Sequence, residues 1–167
     1  MRVSTLAILA LLACSNEQPP PVGDSDAGTT RYYQDDSGPL PVPEDSGNDA
    51  GATVYTLDFE GTCASDTNVV WAYFDFQTHT PENSSLEFVA SSAATEAELS
   101  SAPTVSLGTV TGADITSWEG VEVDSQLQTI GQMSRLYLRV VVIETPATDG
   151  TPPVLVHYRQ AFDCLYD

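Results

Sequence analysis

The sequence contains no lysine, and its five basic residues are all arginine, against 24 aspartate and glutamate residues. The formal net charge of -19 opposes binding to nucleic acid or to an anionic membrane surface, because long-range electrostatic repulsion acts against both partners. Histidine is also scarce, with only His79 and His157 present. The side chain that most often titrates near neutral pH is therefore nearly missing.

The motifs of several large enzyme classes are absent as well. The sequence has no GxSxG nucleophile elbow, no HExxH zinc helix, no P-loop and no dinucleotide-binding glycine fingerprint. His79 precedes Thr80-Pro81 and is expected to be an exposed turn residue, whereas His157 is expected on the polar face of a strand. We therefore predict no catalytic residue, no metal site and no cofactor.

One acidic cluster leaves an enzymatic alternative open. Glu119, Glu122 and Asp124 lie close together in the sequence and follow Trp118. Glycoside hydrolysis uses two carboxyl groups across a cleft, and an exposed tryptophan would stack on a sugar ring. A carbohydrate-active hydrolase is thus the alternative, while the favoured interpretation is a solvated acidic face with Trp118 in the core.

The amino-terminal residues have the pattern of an export signal. Arg2 precedes an apolar run over residues 3–13, which is shorter than the roughly 20 residues that a membrane-spanning helix needs. Three consecutive prolines at positions 19–21 exclude continuation of a helix. Residues 1–13 are accordingly predicted to be a signal peptide.

The end of this segment, Leu11-Leu12-Ala13-Cys14, resembles the lipobox of bacterial lipoproteins. The resemblance implies cleavage before Cys14 and attachment of two or three acyl chains, including palmitate, which together hold a protein stably on a membrane. Ser15 resembles the outer-membrane form of the lipoprotein sorting rule. We expect lipid anchoring in the envelope of a Gram-negative bacterium, at the outer membrane, with ordinary secretion as the competing interpretation.

Two cysteines remain once Cys14 is assigned to lipid. An even pair in an exported protein predicts a disulfide, here between Cys63 and Cys164. A thiolate nucleophile is the alternative, but neither cysteine has a histidine nearby in the sequence or a CxxC partner.

The chain after Cys14 divides into two parts by composition. Residues 14–52 are rich in Pro, Gly, Ser, Asp and Asn, a composition that buries too little apolar surface to fold alone. We predict a disordered acidic tether over 14–52 and one folded domain over 53–167.

Apolar residues in the domain alternate with polar ones, as in half-buried strands. Strands are predicted around Leu57 and Phe74, and also over residues 86–90, 104–110 and 118–123. A single short helix is predicted over residues 95–100, where Thr95 and Glu98 have capping-box spacing. The domain is therefore expected to be all-β, an antiparallel β-sandwich of jelly-roll or immunoglobulin-like type with at most one short helix.

The two last predicted strands are the clearest. One face of the first is expected to carry Leu136, Leu138, Val140 and Val142, and one face of the second Val154, Val156, Tyr158 and Phe162. A simple hairpin about Asp149 would place Arg139 opposite Arg159. Like charges facing each other on a sheet repel, so either the protein's own carboxylates or an anionic ligand should lie between them.

Four segments carry a further resemblance: Leu57-Asp58-Phe59-Glu60-Gly61-Thr62-Cys63, Ser117-Trp118-Glu119-Gly120-Val121-Glu122-Val123-Asp124, residues 136–142 and residues 158–164. The domain is similar to a β-sandwich module of uncharacterised lipoproteins from Gram-negative bacteria, and more loosely to jelly-roll carbohydrate-binding modules. That resemblance implies no catalytic residues. The expected function is a non-catalytic binding or structural domain for a glycan or an envelope protein, with Trp118, Arg139 and Arg159 as candidate binding residues.

Overall fold

The structure, a computed structural model, describes residues 24–26, 29–35 and 51–166. The predicted signal peptide and Cys14 lie outside these ranges. The described residues form nine strands: β1 (Asp24–Asp26), β2 (Thr29–Asp35), β3 (Thr53–Glu60), β4 (Thr67–His79), β5 (Ser85–Ala93), β6 (Val105–Thr111), β7 (Ile115–Glu122), β8 (Tyr137–Thr145) and β9 (Val154–Tyr166). A 3₁₀ helix spans Glu96–Ser101, and a short α-helix, α1, spans Val123–Thr129.

The strands form two antiparallel sheets that pack against each other, which confirms the predicted all-β sandwich. The five-stranded sheet has the order β1-β2-β9-β4-β7, and the four-stranded sheet has the order β3-β8-β5-β6. In an immunoglobulin sandwich the first two strands share a sheet, whereas β2 and β3 lie in different sheets here. The eight strands β2 to β9 have the arrangement of a jelly roll.

The first strand of this jelly roll comes from a part of the chain that the composition assigned to the tether. β2 pairs antiparallel with β9 along the register Arg31↔Asp163 to Asp35↔Arg159. The Tyr32 ring stacks on Phe162, with 5.2 Å between ring centroids. The folded part therefore includes residues before the predicted boundary at Thr53. Composition missed β2 because the apolar partners of a seven-residue strand lie far away in the sequence.

The core between the sheets is aromatic. Phe76 lies 4.6 Å from Phe88 between ring centroids, and Phe74 lies 5.4 Å from the same ring, so these rings join β4 to β5 across the sandwich. Trp71 is fully buried, and its indole N–H donates to the backbone oxygen of Arg135 at 2.7 Å. Burying a large ring of this kind stabilises the fold by about 2 to 3 kcal/mol.

The last two strands do not form the simple hairpin that would place Arg139 opposite Arg159. β8 pairs with β3 and β5 in the four-stranded sheet, whereas β9 pairs with β2 and β4 in the other sheet. Each strand presents an apolar face to the core, and placing the two strands in opposite sheets buries both faces. The segment between them, around Asp149, is therefore a connection from one sheet to the other.

The inward faces of these two strands match the prediction only in part. In β8, Leu138, Val140 and Val142 are fully buried, but Leu136 precedes the strand and is 39% exposed. In β9, Tyr158 and Phe162 are buried as predicted, whereas Val154 and Val156 are exposed and Leu155 is buried. Register shifts between β4 and β9 change which face a residue occupies, because each extra residue reverses the alternation.

The predicted disulfide is present. Cys63, just after β3, is bonded to Cys164 in β9, with 5.7 Å between the Cα atoms. The bond joins the two sheets through residues at opposite ends of the domain sequence.

The predicted capping box is present too, since the Glu98 carboxylate accepts from the Thr95 backbone N–H at 3.2 Å. Helix α1, which follows β7 directly, is a second short helix, whereas the sequence predicted at most one.

Candidate functional site

The outer face of the five-stranded sheet carries a cluster centred on Arg159. Its guanidinium lies 4.7 Å from the centre of the Tyr33 ring and 4.4 Å from the centre of the Trp118 ring. The Arg159 Nε–H donates to Asp75 Oδ2 at 2.8 Å. We call Tyr33, Asp75, Trp118 and Arg159 the Arg159 cluster. It draws one residue from each of four neighbouring strands, β2, β9, β4 and β7.

Strand register explains how the cluster is assembled. Arg159 on β9 pairs with Asp75 on β4, and Asp75 pairs in turn with Gly120 on β7. A Cβ atom at position 120 would collide with the Asp75 Oδ1 atom. Glycine therefore leaves the space in which the Asp75 carboxylate lies, and that carboxylate holds the Arg159 guanidinium between the two rings.

Trp118 is exposed, contrary to the prediction that it lies in the core. Its side chain is 41% exposed, whereas Trp71 has no exposed surface. The reason is that β7 is an edge strand and Trp118 points outward, in phase with Gly120. The His157 ring lies 6.4 Å from the Trp118 ring, so an imidazole borders the same surface, and His157 is exposed as predicted.

A second arginine lies on the same face. The Arg31 guanidinium contacts both carboxylate oxygens of Asp163, at 3.1 and 3.0 Å. It also lies 5.2 Å from the centre of the Tyr73 ring. The hydrogen bonds and the charge of Asp163 raise the pKa of Arg31, although partial burial acts in the opposite direction. This face therefore combines exposed aromatic rings with guanidinium groups whose orientation is set by carboxylates.

Arg139, the third candidate binding residue, does not belong to this surface. It lies on the outer face of the four-stranded sheet and donates to both oxygens of Asp58, at 2.7 and 2.6 Å. Arg139 and Arg159 are therefore not opposite each other, and each is paired with a carboxylate of the protein itself. Of the three candidates, the structure brings together only Trp118 and Arg159.

The acidic residues near Trp118 do not form a facing pair. Glu119 pairs in register with Phe76, which points into the core, while Glu122 pairs with Tyr73, which points outward. Asp124, at the start of α1, accepts hydrogen bonds from Ser134 and Gln128 at 2.6 and 2.5 Å. Glu119 and Glu122 therefore lie on opposite faces of β7, and the Asp124 carboxylate is engaged by two other side chains.

His79 is exposed, as predicted, and its Nδ1 atom lies 2.8 Å from Asp114 Oδ1. In the described ranges no group of three or more His, Cys, Asp or Glu side chains is placed to hold a metal ion. Among the same residues no helix is long and apolar enough to cross a membrane.

One carboxyl group lies inside the sandwich. Glu144, near the end of β8, is only 6% exposed. Burial raises its pKa above the ordinary value, and a hydrogen bond with the Tyr55 side chain counteracts part of the shift. Burial beside this carboxylate also raises the pKa of Tyr55. The sequence contained no signal for this pair, because Glu144 occupies the inward phase of a strand at a position where an apolar residue is normal.

Comparison with known proteins found no matching family model and no matching curated protein. The residues of this chain, and chiefly the Arg159 cluster, are therefore the basis for the function proposed below.

Proposed function

We propose that this protein is a lipid-anchored lipoprotein of the bacterial cell envelope whose jelly-roll domain is a non-catalytic binding domain. Its ligand is a glycan, and the Arg159 cluster is the binding surface. The observation that carries the proposal is the exposed Trp118 ring beside an arginine that a carboxylate orients. The proposal unites the export signal, the lipobox and the surface chemistry of the folded domain.

The chemistry of the cluster suits a sugar. An exposed indole offers apolar area for the C–H face of a pyranose ring, and its two rotatable bonds cost little entropy when they are ordered. A guanidinium has five N–H donors, and only the Nε–H of Arg159 has a described acceptor, Asp75. The remaining donors are suited to sugar hydroxyl groups. Ordering Arg159 before the ligand arrives reduces the entropy cost of binding.

The arrangement of carboxylates supports a binding role over the hydrolase alternative. Retaining and inverting glycosidases need two carboxyl groups that face each other, about 5 to 9.5 Å apart. Glu119 and Glu122 occupy opposite faces of β7, and Asp124 is engaged by Ser134 and Gln128. These three acidic residues therefore do not support a catalytic carboxyl pair beside Trp118.

The position of β1 bears on the proposed anchor. Nine residues, 15 to 23, separate the lipobox cysteine from β1, which begins at Asp24. Even in a fully extended chain, the ten Cα–Cα steps from Cys14 to Asp24 span at most roughly 35 Å. With lipid on Cys14, the domain would remain close to the membrane and would meet envelope glycans near the surface.

A glycan array probed with the purified full-length chain tests the binding role. We expect Trp118→Ala and Arg159→Gln each to lose at least tenfold in affinity for the glycans that the native chain retains. Arg139→Gln is the matched control, because it removes the same charge from the other sheet. If the native chain binds no glycan, or if Trp118→Ala binds equally well, the glycan proposal is wrong. An envelope pull-down that is also empty would leave a structural role.

Fractionation tests the anchor separately. We expect the native chain in the membrane fraction and Cys14→Ser in the soluble fraction, with loss of labelling by a palmitate analogue. A Cys14→Ser chain that stays membrane-bound would contradict the lipoprotein proposal.

A further inference from the structure

A groove opens beside the disulfide, at the N-terminal end of β4, near Thr67. Its volume is about 280 Å³, and its lining includes Cys63, Thr67, Val69, Ser134, Arg135 and Leu136. Pockets for drug-sized ligands measure about 300 to 1,000 Å³. This groove is slightly smaller, so it suits one small molecule of lower volume. Asp75 of the Arg159 cluster lies further along β4, so the groove is a separate feature of the surface.

Arg135 distinguishes this groove from an ordinary surface depression. Arg31, Arg139 and Arg159 each form an ion pair with an aspartate. Arg135 is exposed and forms no ion pair with any acid in the described part of the chain. Among the arginines in the described ranges, Arg135 therefore differs from the other three, each of which has an aspartate partner.

The backbone that carries Arg135 is held by buried groups. Its N–H donates to the Ser92 hydroxyl at 2.9 Å, and that hydroxyl donates to the Tyr137 backbone oxygen at 2.9 Å. Its carbonyl oxygen accepts from the indole of the fully buried Trp71. The preceding residue, Ser134, accepts from the Trp71 backbone N–H at 3.0 Å. The side chain of Arg135 therefore projects from a backbone that is ordered before any ligand binds.

The rest of the lining adds both polar and apolar contacts. The Thr67 hydroxyl donates to the Ala64 oxygen at 2.9 Å, which leaves its oxygen lone pairs as acceptors for a ligand hydroxyl. Val69 and Leu136 offer apolar surface, and Leu136 is 39% exposed. A guanidinium pairs best with a planar carboxylate, to which it donates two parallel hydrogen bonds.

We propose that this groove binds a small organic carboxylate that carries hydroxyl groups, such as a single uronic acid, with Arg135 as the residue that pairs with the carboxylate. The net charge of the protein repels anions at long range, but at physiological ionic strength this repulsion is screened beyond about 8 Å. Binding of the anion then depends on its ion pair with Arg135. The site is independent of the proposed glycan surface.

An NMR titration of the purified full-length chain tests the proposal, with sodium D-glucuronate as the probe at physiological ionic strength. D-glucose is the neutral probe of similar size. We expect saturable shifts of the backbone amides of Thr67, Val69, Arg135 and Leu136 with glucuronate and none with glucose. In Arg135→Gln we expect at least a tenfold loss of glucuronate affinity, while Arg139→Gln keeps the native affinity.

Three results would overturn the proposal: no saturable glucuronate shifts in the native chain, equal shifts with glucose, or native affinity in Arg135→Gln. The exposed position of Arg135 makes a folding defect in this variant unexpected. Ala94→Trp is a second variant that obstructs the groove lining while leaving Arg135 in place. It should also abolish the shifts, and full retention of binding in this variant would count against the groove.

Discussion

Gly120 and Asp75 are paired across β7 and β4, and the Asp75 carboxylate lies where a side chain at position 120 would begin. The same carboxylate accepts from Arg159 at 2.8 Å. A residue without a side chain on the edge strand thus determines where the guanidinium of the cluster lies.

Gly120→Ala should therefore disturb the Arg159 cluster. The added methyl group requires the Asp75 carboxylate to move. Because Gly120 is exposed on an edge strand, the loss of stability in urea unfolding should stay below about 1 kcal/mol, whereas the NMR signals of the Trp118 and Arg159 side chains should change. Thr116→Ala, an exposed position on the same strand, should leave these signals unchanged. Native signals in Gly120→Ala would contradict the proposed role of the glycine.

The buried Glu144 predicts a specific pH dependence of stability. Burial raises its pKa in the folded state above the ordinary value of 4.5. A raised carboxyl pKa contributes stability that is fully present below about pH 4.5 and is lost as the pH rises through the folded-state value.

Glu144→Gln should remove this loss, because glutamine is uncharged and retains a hydrogen-bonding partner for Tyr55. We expect the variant to be more stable than the native protein at pH 7 by on the order of 1 kcal/mol, with a flatter dependence between pH 4.5 and 7. Chemical denaturation at a series of pH values measures both. Glu82→Gln, at an exposed position, controls for the loss of one negative charge. An equal pH dependence in the native and Glu144→Gln proteins would refute the assignment.

Tyr32→Ala tests whether β2 belongs to the folded domain. Tyr32 packs against the core and stacks on Phe162, and the loss of such a ring costs about 2 to 4 kcal/mol when it is partly buried. Tyr33→Ala is the matched control, because Tyr33 lies over Arg159 on the outer face and should cost less. Thermal unfolding distinguishes the two variants, and equal stability of both with the native chain would mean that β2 adds nothing to the fold.

Removal of the disulfide should destabilise the domain strongly. Cys63 and Cys164 are separated by 101 positions, and a loop of about 100 residues corresponds to up to roughly 4.7 kcal/mol in the chain-entropy model. Replacing both cysteines with serine should lower the urea midpoint, and dithiothreitol should have the same effect on the native chain alone. A urea midpoint that neither treatment changes would show that the disulfide does not contribute to the stability of the domain.

Local sequence pattern was enough to predict the all-β class, most strand positions and the cysteine pairing. Alternation of apolar and polar residues around Leu57 and Phe88 is a local property, and it remains visible whichever strand pairs with which. Removing Cys14 from the count left only one intramolecular pair to consider. The capping box at Thr95 was predictable for the same reason, since its two residues lie within one turn.

The folded chain alone shows the features that depend on partners distant in the sequence. It placed β8 and β9 in different sheets, which separates Arg139 from Arg159. It put Trp118 on an edge strand and Trp71 in the core, although both follow similar local patterns. It also completed the sandwich with β2, a strand that pairs with β9 and whose Tyr32 ring stacks on Phe162. The alternation of apolar and polar residues indicates only that a strand has an apolar face to bury. Which sheet the strand joins depends on contacts between residues that are distant in the sequence and that only the folded chain brings together.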